Sequence, residues 1–588
     1  MRSFFKIFFA SLLSLIVFFV LIFFVFIAIA GAIAASGDKK DVASNSVLVL
    51  DLNQSFREQA QDEPLAELLG DEGQNAPGLY DVVRMLSYAK TDDKIKGIYI
   101  KAEGNGNGFA SSQELREAIA DFKKSKKFVI AYGETMSQRA YYVASVADRV
   151  YIHPEGGLEW MGMSVKLMFM KNLLDKLEIQ PQIFYAGKFK SATEPLRETK
   201  MTDANRIQTR AFLDDMYLHL VTAASTSRKI DTATLHKLAD EAAIQTAKDA
   251  VTHKLVDAVK YDDEIKAELL KLSGEKSDKE KVKFVTLGDY SKAVEYKKSS
   301  GSDKIAVIYA EGEIVDGKEA DGAVASDHFR TMLRKARLNK DIKAIVLRVN
   351  SPGGSALASD VIWREITLAK KVKPVVVSMG NLAASGGYYI SCAADSIFAD
   401  PATLTGSIGV FGIIPNFQGF LNNKLGLTFD GVKTSRYADM GSVDRPLNEF
   451  EKKLVQNMVD TIYHTFKMRV AQGRRLSPQV VDSIAQGRVW TGQRAMEIGL
   501  VDRLGNLQTA IGTAARMAKL KEYGLREYPE KQNFLEKLMD GSTEKNIKDA
   551  AIKAEIGEEN YMLIKRINHL KAIFNKPQAR MPFELEIN

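Results

Sequence analysis

Residues 341–359 read DIKAIVLRVNSPGGSALAS, and a related sequence occurs a second time in the chain. The counterpart is KIKGIYIKAEGNGNGFASS at residues 94–112, at an offset of 247 residues. The same offset relates YYISCAAD, which begins at Tyr388, to YYVASVAD, which begins at Tyr141. Two blocks at one offset indicate that the chain contains an internal duplication.

The duplication extends over most of the 588 residues. GLVDRLG from Gly499 matches KLVDAVK from Lys254 at an offset of 245, so the offset changes little along each copy. The repeat therefore covers nearly all of residues 45–520. A period of this length is far too long for a solenoid, and it predicts two domains of the same fold.

Each copy alternates short apolar runs with longer amphipathic stretches. KIAVIYA, AIVLRVN and PVVVSMG are typical of strands, whereas DHFRTMLRKARL and SDVIWREITLAKK are typical of helices. Regular alternation of this kind predicts an α/β fold with a largely parallel sheet. In such sheets the sites lie at the carboxyl ends of strands, and NSPGGS and NLAASGGYY both follow predicted strands.

The amino-terminal segment is predicted to cross a membrane. No charged side chain occurs in residues 7–37, a stretch of 31 residues that exceeds the roughly 20 needed to span a bilayer. Arg2 and Lys6 precede this stretch and Asp38 follows it, so the positive-inside rule keeps residues 1–6 in the cytoplasm and exports the rest. A membrane lipid contact through this helix is therefore expected.

A cleaved signal peptide is the alternative interpretation of the same segment. The small residues at 32–34 resemble a cleavage site. A secretory apolar core is normally roughly 7 to 15 residues, which is shorter than this one. We favour an uncleaved anchor, and both interpretations export the globular part.

Composition excludes several classes of function. The net charge of +7 is small for this length and no long basic block occurs, so no nucleic-acid partner is indicated. Cys392 is the only cysteine, which excludes internal disulfides and a cysteine-cluster metal site. Its apolar helical setting predicts a packing role.

The two copies differ at the positions that could carry chemistry. Ser385, in NLAASGGYY, corresponds to Gln138, and Ser407, in LTGSIG, corresponds to Trp160. The first copy therefore lacks a serine at both positions. Aligning GVKTSRYAD with IFYAGKFKS places Lys190 opposite Ala438.

Serine in one copy and lysine in the other suggest that each copy has lost a different part of one site. A serine hydroxyl needs a base to remove its proton. None of the seven histidines lies in a glycine-rich or strand-end segment, so a histidine base is disfavoured. Lysine can act as the base only when it is neutral, which requires its pKa to fall through burial or a neighbouring cation.

Lys190 fits that requirement because it follows the aromatic-rich run IFYAGKF. Lys188 lies two positions earlier, and we expect only one of the two lysines to reach the site, with Lys188 as the alternative base. A solvated surface lysine would be the ordinary interpretation of either one. The comparison of the copies is what favours Lys190.

Glycines beside the serine predict donors for an oxyanion. Gly353 and Gly354 in NSPGGS, together with Gly386 after the serine, would let backbone N–H groups approach a substrate carbonyl. The ordinary alternative is that Ser385 caps a helix and the glycines allow close packing of helix and strand. That alternative leaves Ser407 and the division of serine and lysine unexplained.

At these residues the chain resembles the signal peptide peptidase A family, also called protease IV, in its long duplicated form of the peptidase S49 type. The motifs that carry the resemblance are VNSPGGS, AASGGYYIS, LTGSIG and GKFKSATEP. The resemblance implies an α/β fold of two tandem crotonase-like (Clp-protease-like) domains after the membrane helix. It also implies a serine/lysine dyad with Ser385 as nucleophile, Lys190 as general base, and Ser407 as the serine that positions the lysine.

The resemblance further implies a homotetramer at the outer face of the cytoplasmic membrane that degrades signal peptide remnants and other apolar peptides. No metal and no organic cofactor are implied. The predicted segments are a cytoplasmic 1–6, an anchor at 7–37, a lysine-supplying repeat at 45–300, a serine-supplying repeat at 301–525 and a helical extension at 526–588.

The predicted function is a membrane-anchored serine endopeptidase. Two alternatives remain from the residues alone: a crotonase-like enzyme that acts on acyl thioesters, and a non-catalytic membrane scaffold. The sequence leaves open whether the dyad forms within one chain or between subunits, and which peptides are the physiological substrates.

Overall fold

The computed structural model describes residues 2–35, 41–60, 76–275, 281–297, 301–318, 322–530, 557 and 577–581. Its helices, numbered in chain order, are α1 (Arg2–Ala35), α2 (Leu79–Ala89), α3 (Phe109–Lys123), α4 (Gln138–Ala144), α5 (Lys171–Lys176), α6 (Glu194–Arg197), α7 (Asp203–Arg228), α8 (Thr232–Asp240), α9 (Ala247–Thr252), α10 (Asp262–Ser273), α11 (Leu287–Ala293), α12 (Ser326–Leu338), α13 (Ala356–Lys370), α14 (Gly386–Ser391), α15 (Glu449–Arg474), α16 (Pro478–Ile484), α17 (Gly492–Glu497) and α18 (Leu507–Met517). A 3₁₀ turn covers Ser191–Thr193 and a π-helical turn covers Phe420–Lys424.

The strands are β1 (Ser46–Asp51), β2 (Ile95–Lys101), β3 (Phe128–Met136), β4 (Arg149–Leu158), β5 (Gln180–Ala186), β6 (Ala258–Val259), β7 (Phe284–Thr286), β8 (Lys304–Glu311), β9 (Ile314–Val315), β10 (Val324–Ala325), β11 (Ile342–Ser351), β12 (Gly353–Ser355), β13 (Val375–Ala384), β14 (Ser396–Ala399), β15 (Leu404–Gly406), β16 (Val410–Asn416), β17 (Val489–Thr491), β18 (Arg503–Leu504), β19 (Gly524–Tyr528) and β20 (Gln578–Arg580).

The amino-terminal helix α1 stands outside the globular core. Its side chains from Phe4 to Leu21 are exposed, although almost all of them are apolar. The stretch Phe4–Ile22 is long and apolar enough to cross a membrane by length and composition. Most of the predicted segment 7–37 therefore lies within one continuous helix.

The first copy forms a six-stranded parallel sheet with the order β6-β4-β3-β2-β1-β7. Most apolar side chains of β1, β2 and β3 are buried, and Val49 and Phe128 are partly buried. Parallel strands with helices between them are the arrangement that the alternating sequence pattern predicts.

The second copy repeats this architecture. Its sheet has the order β17-β15-β13-β11-β8-β19, with β14 paired to β13 and to β18. The pairs along β13, β11, β8 and β19 are parallel, and β17 is antiparallel to β15. The apolar runs KIAVIYA, AIVLRVN and PVVVSMG, which were predicted to be strands, lie in β8, β11 and β13 and are buried.

A third sheet joins the two copies, with the order β10-β9-β12-β20-β16-β5. Strand β5 belongs to the first copy, but all seven of its residues pair antiparallel with β16 of the second copy. Because of this pairing, the residues that follow β5 lie at the carboxyl ends of the second copy's strands.

A buried ion cluster also joins the copies. Arg348 of β11 is fully buried and donates hydrogen bonds to Glu58 Oε2 at 2.7 Å and to Glu114 Oε1 at 2.6 Å. Both carboxylates belong to the first copy. Because a buried charge is tolerated only when it is paired, this cluster fixes how the two copies face each other.

Most of the carboxyl-terminal segment 526–588, predicted as a helical extension, lies outside the described residues. The described parts of it are extended. Strand β19 ends at Tyr528, and β20 is inserted between β12 and β16.

Candidate active site

Ser385 lies at the junction between β13 and α14 in an unusual backbone conformation. Its φ is 55° and its ψ is −111°, a region that side chains other than glycine rarely adopt. Its amide nitrogen donates to the carbonyl oxygen of Gly406 at 2.8 Å, which holds the turn. The side chain makes no capping hydrogen bond to α14, so the helix-cap interpretation of this serine is wrong.

Lys190 reaches Ser385 from the other copy. Its Nζ lies 2.9 Å from Ser385 Oγ, 3.1 Å from Ser407 Oγ and 3.1 Å from the Ser407 carbonyl oxygen. The two serines follow neighbouring strands, β13 and β15, which pair in parallel and end at the same edge of the sheet. The structure thus brings the three predicted residues together within a single chain.

The lysine is buried among uncharged groups. Lys190 is 1% exposed and both serines are fully buried. Within the described ranges no ion pair involves Lys190, and burial lowers the pKa of its amine well below the usual 10.5. A neutral amine is therefore favoured at the one position where it can accept a proton from a serine.

Lys188 points elsewhere because the chain turns sharply after β5. Gly187 has a φ of 111°, and the amide of Lys190 donates to its carbonyl oxygen at 3.0 Å. A side chain at Gly187 would come within 2.6 Å of the backbone carbon of Gln486. This turn buries Lys190 and leaves Lys188 exposed, with its amine over the Phe189 ring.

Ser407 is also held in a left-handed backbone conformation, with a φ of 47°. Its amide donates to the carbonyl oxygen of Arg488 at 2.7 Å. Because its side-chain oxygen and its carbonyl oxygen both face Lys190 Nζ, Ser407 presents two acceptors to the amine.

The predicted oxyanion glycines lie beside Ser385, but they are not equivalent. Gly353 and Gly354 have φ values of 96° and 156°, and a side chain at Gly353 would come within 2.6 Å of the Gly386 amide nitrogen. The N–H of Gly353 already donates to Ser351 Oγ at 3.2 Å. Gly354 and Gly386 are left as the candidate donors, and Gly353 acts as the residue that allows the close approach.

Gln208 supports the lysine loop and was not found by the sequence reasoning. This residue of α7 is 2% exposed, and its Nε2 donates to the Phe189 carbonyl oxygen at 3.0 Å and to Ser191 Oγ at 2.8 Å. Its Oε1 accepts from the Val489 amide of β17 at 3.2 Å. One side chain therefore ties the residues on both sides of Lys190 to the second copy.

The other titratable groups are not part of this site. In the described part of the chain no histidine bonds to Ser385 or Lys190, and no group of three or more potential ligands could hold a metal ion. Cys392 is fully buried, as expected for a packing residue.

The parallel sheet of the second copy, with Ser385 at the carboxyl end of β13, belongs to the Clp-protease-like fold class. The Clp protease family model matches residues 296–402, and the model of peptidase family S49 matches residues 121–276 and 367–521, once in each copy. The chain belongs to peptidase family S49, the family of signal peptide peptidase A. The predicted fold class and the predicted family are confirmed.

Relatives of similar length support this assignment. Protease 4 of Salmonella typhi is 37% identical over 86% of this chain and 83% of its own, and Protease 4 of Haemophilus influenzae is 34% identical over 85% and 84%. The chloroplastic serine protease SPPA of Arabidopsis thaliana is 32% identical over 74% of this chain and 64% of its own. These relatives favour the protease interpretation over the acyl-thioester and scaffold alternatives.

Proposed function

We propose that this protease is an endopeptidase that acts through a dyad of Ser385 and Lys190. The observation that carries the proposal is a buried lysine amine 2.9 Å from a serine hydroxyl, with no ion pair to a carboxylate among the residues that the structure describes. An amine in that setting is a base, since burial favours its neutral form.

Ser407 orients the base in this mechanism. A neutral amine has two N–H donors and one lone pair. The Ser407 carbonyl oxygen and Oγ, both 3.1 Å away, accept the two N–H bonds and direct the lone pair toward Ser385. Lys190 then removes the hydroxyl proton as Ser385 Oγ attacks the scissile carbonyl.

The Gly354 and Gly386 amides stabilise the oxyanion that forms in this attack. The lysine ammonium next protonates the leaving amine, which leaves an acyl ester on Ser385. Water activated by Lys190 hydrolyses that ester and restores the free serine.

Location and substrate class follow from the amino-terminal helix. We infer that α1 anchors the protein in the cytoplasmic membrane, in contact with its lipids, with residues 45–300 and 301–525 as two domains on the outer face. The charges at Arg2 and Lys6 support this orientation. Apolar peptides left in the bilayer, such as signal peptide remnants, are the proposed substrates.

Two segments that carry exposed apolar side chains support the proposed homotetramer. The alignment that places Lys190 opposite Ala438, at an offset of 248, leads from β5 to residues 428–434, and the offset of 247 leads from its partner β16 to residues 163–169. Neither segment forms a paired strand of more than a single bridge residue in the described chain, and Met168, Phe429 and Val432 are exposed. Pairing of 428–434 with 163–169 of a second copy would repeat the β5–β16 contact between chains and would allow a closed ring.

The test of the dyad uses the full chain in detergent with an apolar leader-like peptide. Ser385→Ala and Lys190→Ala are expected to lower kcat by at least about 1,000-fold, because each removes a group that acts in every turnover. Lys188→Ala is the matched control, since it removes an exposed lysine two residues away, and its rate is expected to stay within about twofold. Substantial activity in folded Lys190→Ala would contradict the proposal.

A further inference from the structure

Arg488 lies directly beside the candidate active site. Its carbonyl oxygen accepts the hydrogen bond from the Ser407 amide at 2.7 Å. The residue before it packs on the candidate base, since a side chain at Gly487 would come within 2.7 Å of Lys190 Cβ. Arg488 therefore adjoins both the lysine and the serine that faces its amine.

Two aromatic rings hold the guanidinium of Arg488. Its Cζ atom lies 4.2 Å from the centroid of the Trp490 ring and 5.1 Å from that of Phe189. Trp490 Nε1 donates to the Ile484 carbonyl oxygen at 2.9 Å, and the Phe189 amide donates to the Gln486 carbonyl oxygen at 2.7 Å, so both aromatic residues are fixed. Because an aromatic face attracts a flat cation, these rings orient the guanidinium before any ligand binds.

The charge of Arg488 has no carboxylate partner in the part of the chain that the structure describes. Among those residues the half-buried side chain makes no ion pair and no hydrogen bond, so none of its five N–H donors has an acceptor there. Nearby Arg494 differs, since its Nε and Nη2 donate to the two carboxylate oxygens of Asp215 at 2.5 and 2.8 Å. Burial, together with the charge of Arg494, lowers the pKa of Arg488.

The ligand that suits this side chain is a carboxylate. The planar N–H groups of a guanidinium match the two oxygens of a carboxylate, and such charged hydrogen bonds are stronger than neutral ones. Partial burial also reduces the screening by water that weakens ion pairs on an open surface. An oriented cation without a partner can therefore bind an anion without first breaking an ion pair of its own.

The leaving part of a peptide substrate lies on the same side of the site as Arg488. In the proposed mechanism Lys190 gives its proton to the leaving amine, so the residues after the cut bond lie beside the lysine loop. Arg488 contacts that loop through the Phe189 ring. A substrate carboxylate that reaches Arg488 therefore belongs to the leaving part of the peptide.

We propose that Arg488 binds a carboxylate on the leaving side of the substrate and thereby selects peptides that carry one shortly after the cut bond. This inference rests on the proposed function of Ser385 and Lys190 and names the substrate class of that site. A free carboxyl terminus and an acidic side chain both supply this group. A peptide that an earlier hydrolysis has released from its precursor ends in such a free carboxylate.

The experiment compares forms of one apolar leader-like peptide on the full chain in detergent. The bond that wild type cuts is mapped by mass, and the peptide is then shortened to end at successive positions after it. Each length is made as a free acid, as a carboxamide, and as a carboxamide with glutamate as its last residue. At the best length, wild-type kcat/KM is expected to be about tenfold higher for the acid than for the carboxamide.

Variants of Arg488 test which side chain causes this preference. In Arg488→Gln the ratio of kcat/KM for acid and carboxamide is expected to fall to about one, because the cation is lost. Arg488→Lys is expected to keep part of the ratio, since it keeps the charge but not the planar donors. The glutamate-ended carboxamide separates the two sources: it behaves like the acid if any carboxylate serves, and like the plain carboxamide if the terminus is required.

Lys188→Ala is the matched control for these variants. The Lys188 amine lies 5.9 Å from the centroid of the same Phe189 ring, so the variant removes one cation from the same surroundings. Its ratio for acid and carboxamide is expected to equal that of wild type. Loss of the ratio in Lys188→Ala would assign the preference to the general positive charge of this surface and would contradict a specific role of Arg488.

The outcomes distinguish this inference from the function on which it rests. Wild type that cuts acid and carboxamide equally well overturns the carboxylate preference alone, as does a ratio that survives in Arg488→Gln. A fall of both rates by the same factor in Arg488→Gln would show that the side chain only supports the lysine loop. Absence of cleavage of every peptide by folded wild type would count against the proposed dyad, and the preference would fall with it.

Discussion

Lys190 is the residue on which the proposed chemistry depends, and its surroundings are costly for a charged amine. In the described part of the chain, the hydrogen-bond partners of its amine are Ser385 Oγ and the carbonyl oxygen and Oγ of Ser407, and none of them is a carboxylate. Under the proposed mechanism, the same burial that disfavours the ammonium favours the neutral amine that acts as the base. Stability and reactivity therefore oppose each other at this one side chain.

The lowered pKa of Lys190 predicts the pH dependence of the reaction. The neutral amine is present above its pKa, so kcat/KM is expected to rise with pH and reach a plateau well below the usual lysine pKa of 10.5. The measurement is kcat/KM for the leader-like peptide from about pH 5 to pH 10. A plateau reached only near the ordinary lysine pKa would contradict a buried neutral base.

Thermal unfolding gives an independent check of the same pKa. Since the pKa of Lys190 is lower in the folded chain than in the unfolded one, the unfolded chain binds more protons between the two values, and stability rises with pH there. The stability of wild type relative to Lys190→Met should therefore increase from neutral pH toward 10.5. Lys188→Met, which replaces an exposed lysine two residues away, is the matched control.

Comparison of the two copies predicted Ser385, Lys190 and Ser407, because each copy of a duplicated chain can be aligned with the other and the positions at which they differ can be identified. The same comparison could not identify Gln208. A glutamine on one face of an amphipathic helix carries no motif, and its importance depends on which backbone groups the fold leaves without partners. Nor could it show that the Gly353 amide already has an acceptor, because backbone hydrogen bonds depend on φ and ψ.

At the scale of elements, strand β5 determines where the lysine lies. The apolar pattern of these residues predicts a strand. It does not predict the partner of that strand, because a pattern indicates which residues are extended and not which strand lies beside them. β5 pairs with β16 of the other copy. The Gly187 turn and helix α7 then fix the residues that follow it.

Removal of the Gln208 amide is predicted to misplace the base without unfolding the chain. In Gln208→Leu the Phe189 carbonyl and the Val489 amide lose their partner, so kcat is expected to fall about 10- to 100-fold while KM changes little. Steady-state kinetics on the leader-like peptide measure this split.

Gln245→Leu is the matched control, since Gln245 is an exposed glutamine of the same copy. It should leave kcat unchanged. A rise in KM at constant kcat in Gln208→Leu would show that Gln208 serves substrate binding and not the position of Lys190.

At the scale of the whole molecule, two copies of one fold share a single candidate site. The third sheet and the Arg348 cluster hold the copies in the one arrangement that brings Lys190 to Ser385. Sequence alone predicted the two domains and the divided site, but it left open whether the dyad forms within one chain. The pairing of β5 with β16 of the other copy could not be predicted from the sequence of either copy separately.

The proposed ring contact predicts that a charge at Phe429 separates the subunits. Phe429→Glu would place a carboxylate at an exposed apolar position, in a segment that pairs with no strand in the described part of its own chain. Light scattering of the protein in detergent is expected to show a smaller assembly than wild type. Val372→Glu changes another exposed apolar residue outside these segments and should leave the mass unchanged.

The division of serine and lysine between the copies has a consequence for the history of the gene. Under the proposed mechanism, a shortened gene that encodes either copy alone would encode no catalyst, since Gln138 stands opposite Ser385 and Ala438 opposite Lys190. A duplication whose copies each kept a full site could be undone by deleting one of them. Here deletion destroys the enzyme, so selection retains both copies and the duplication has become irreversible.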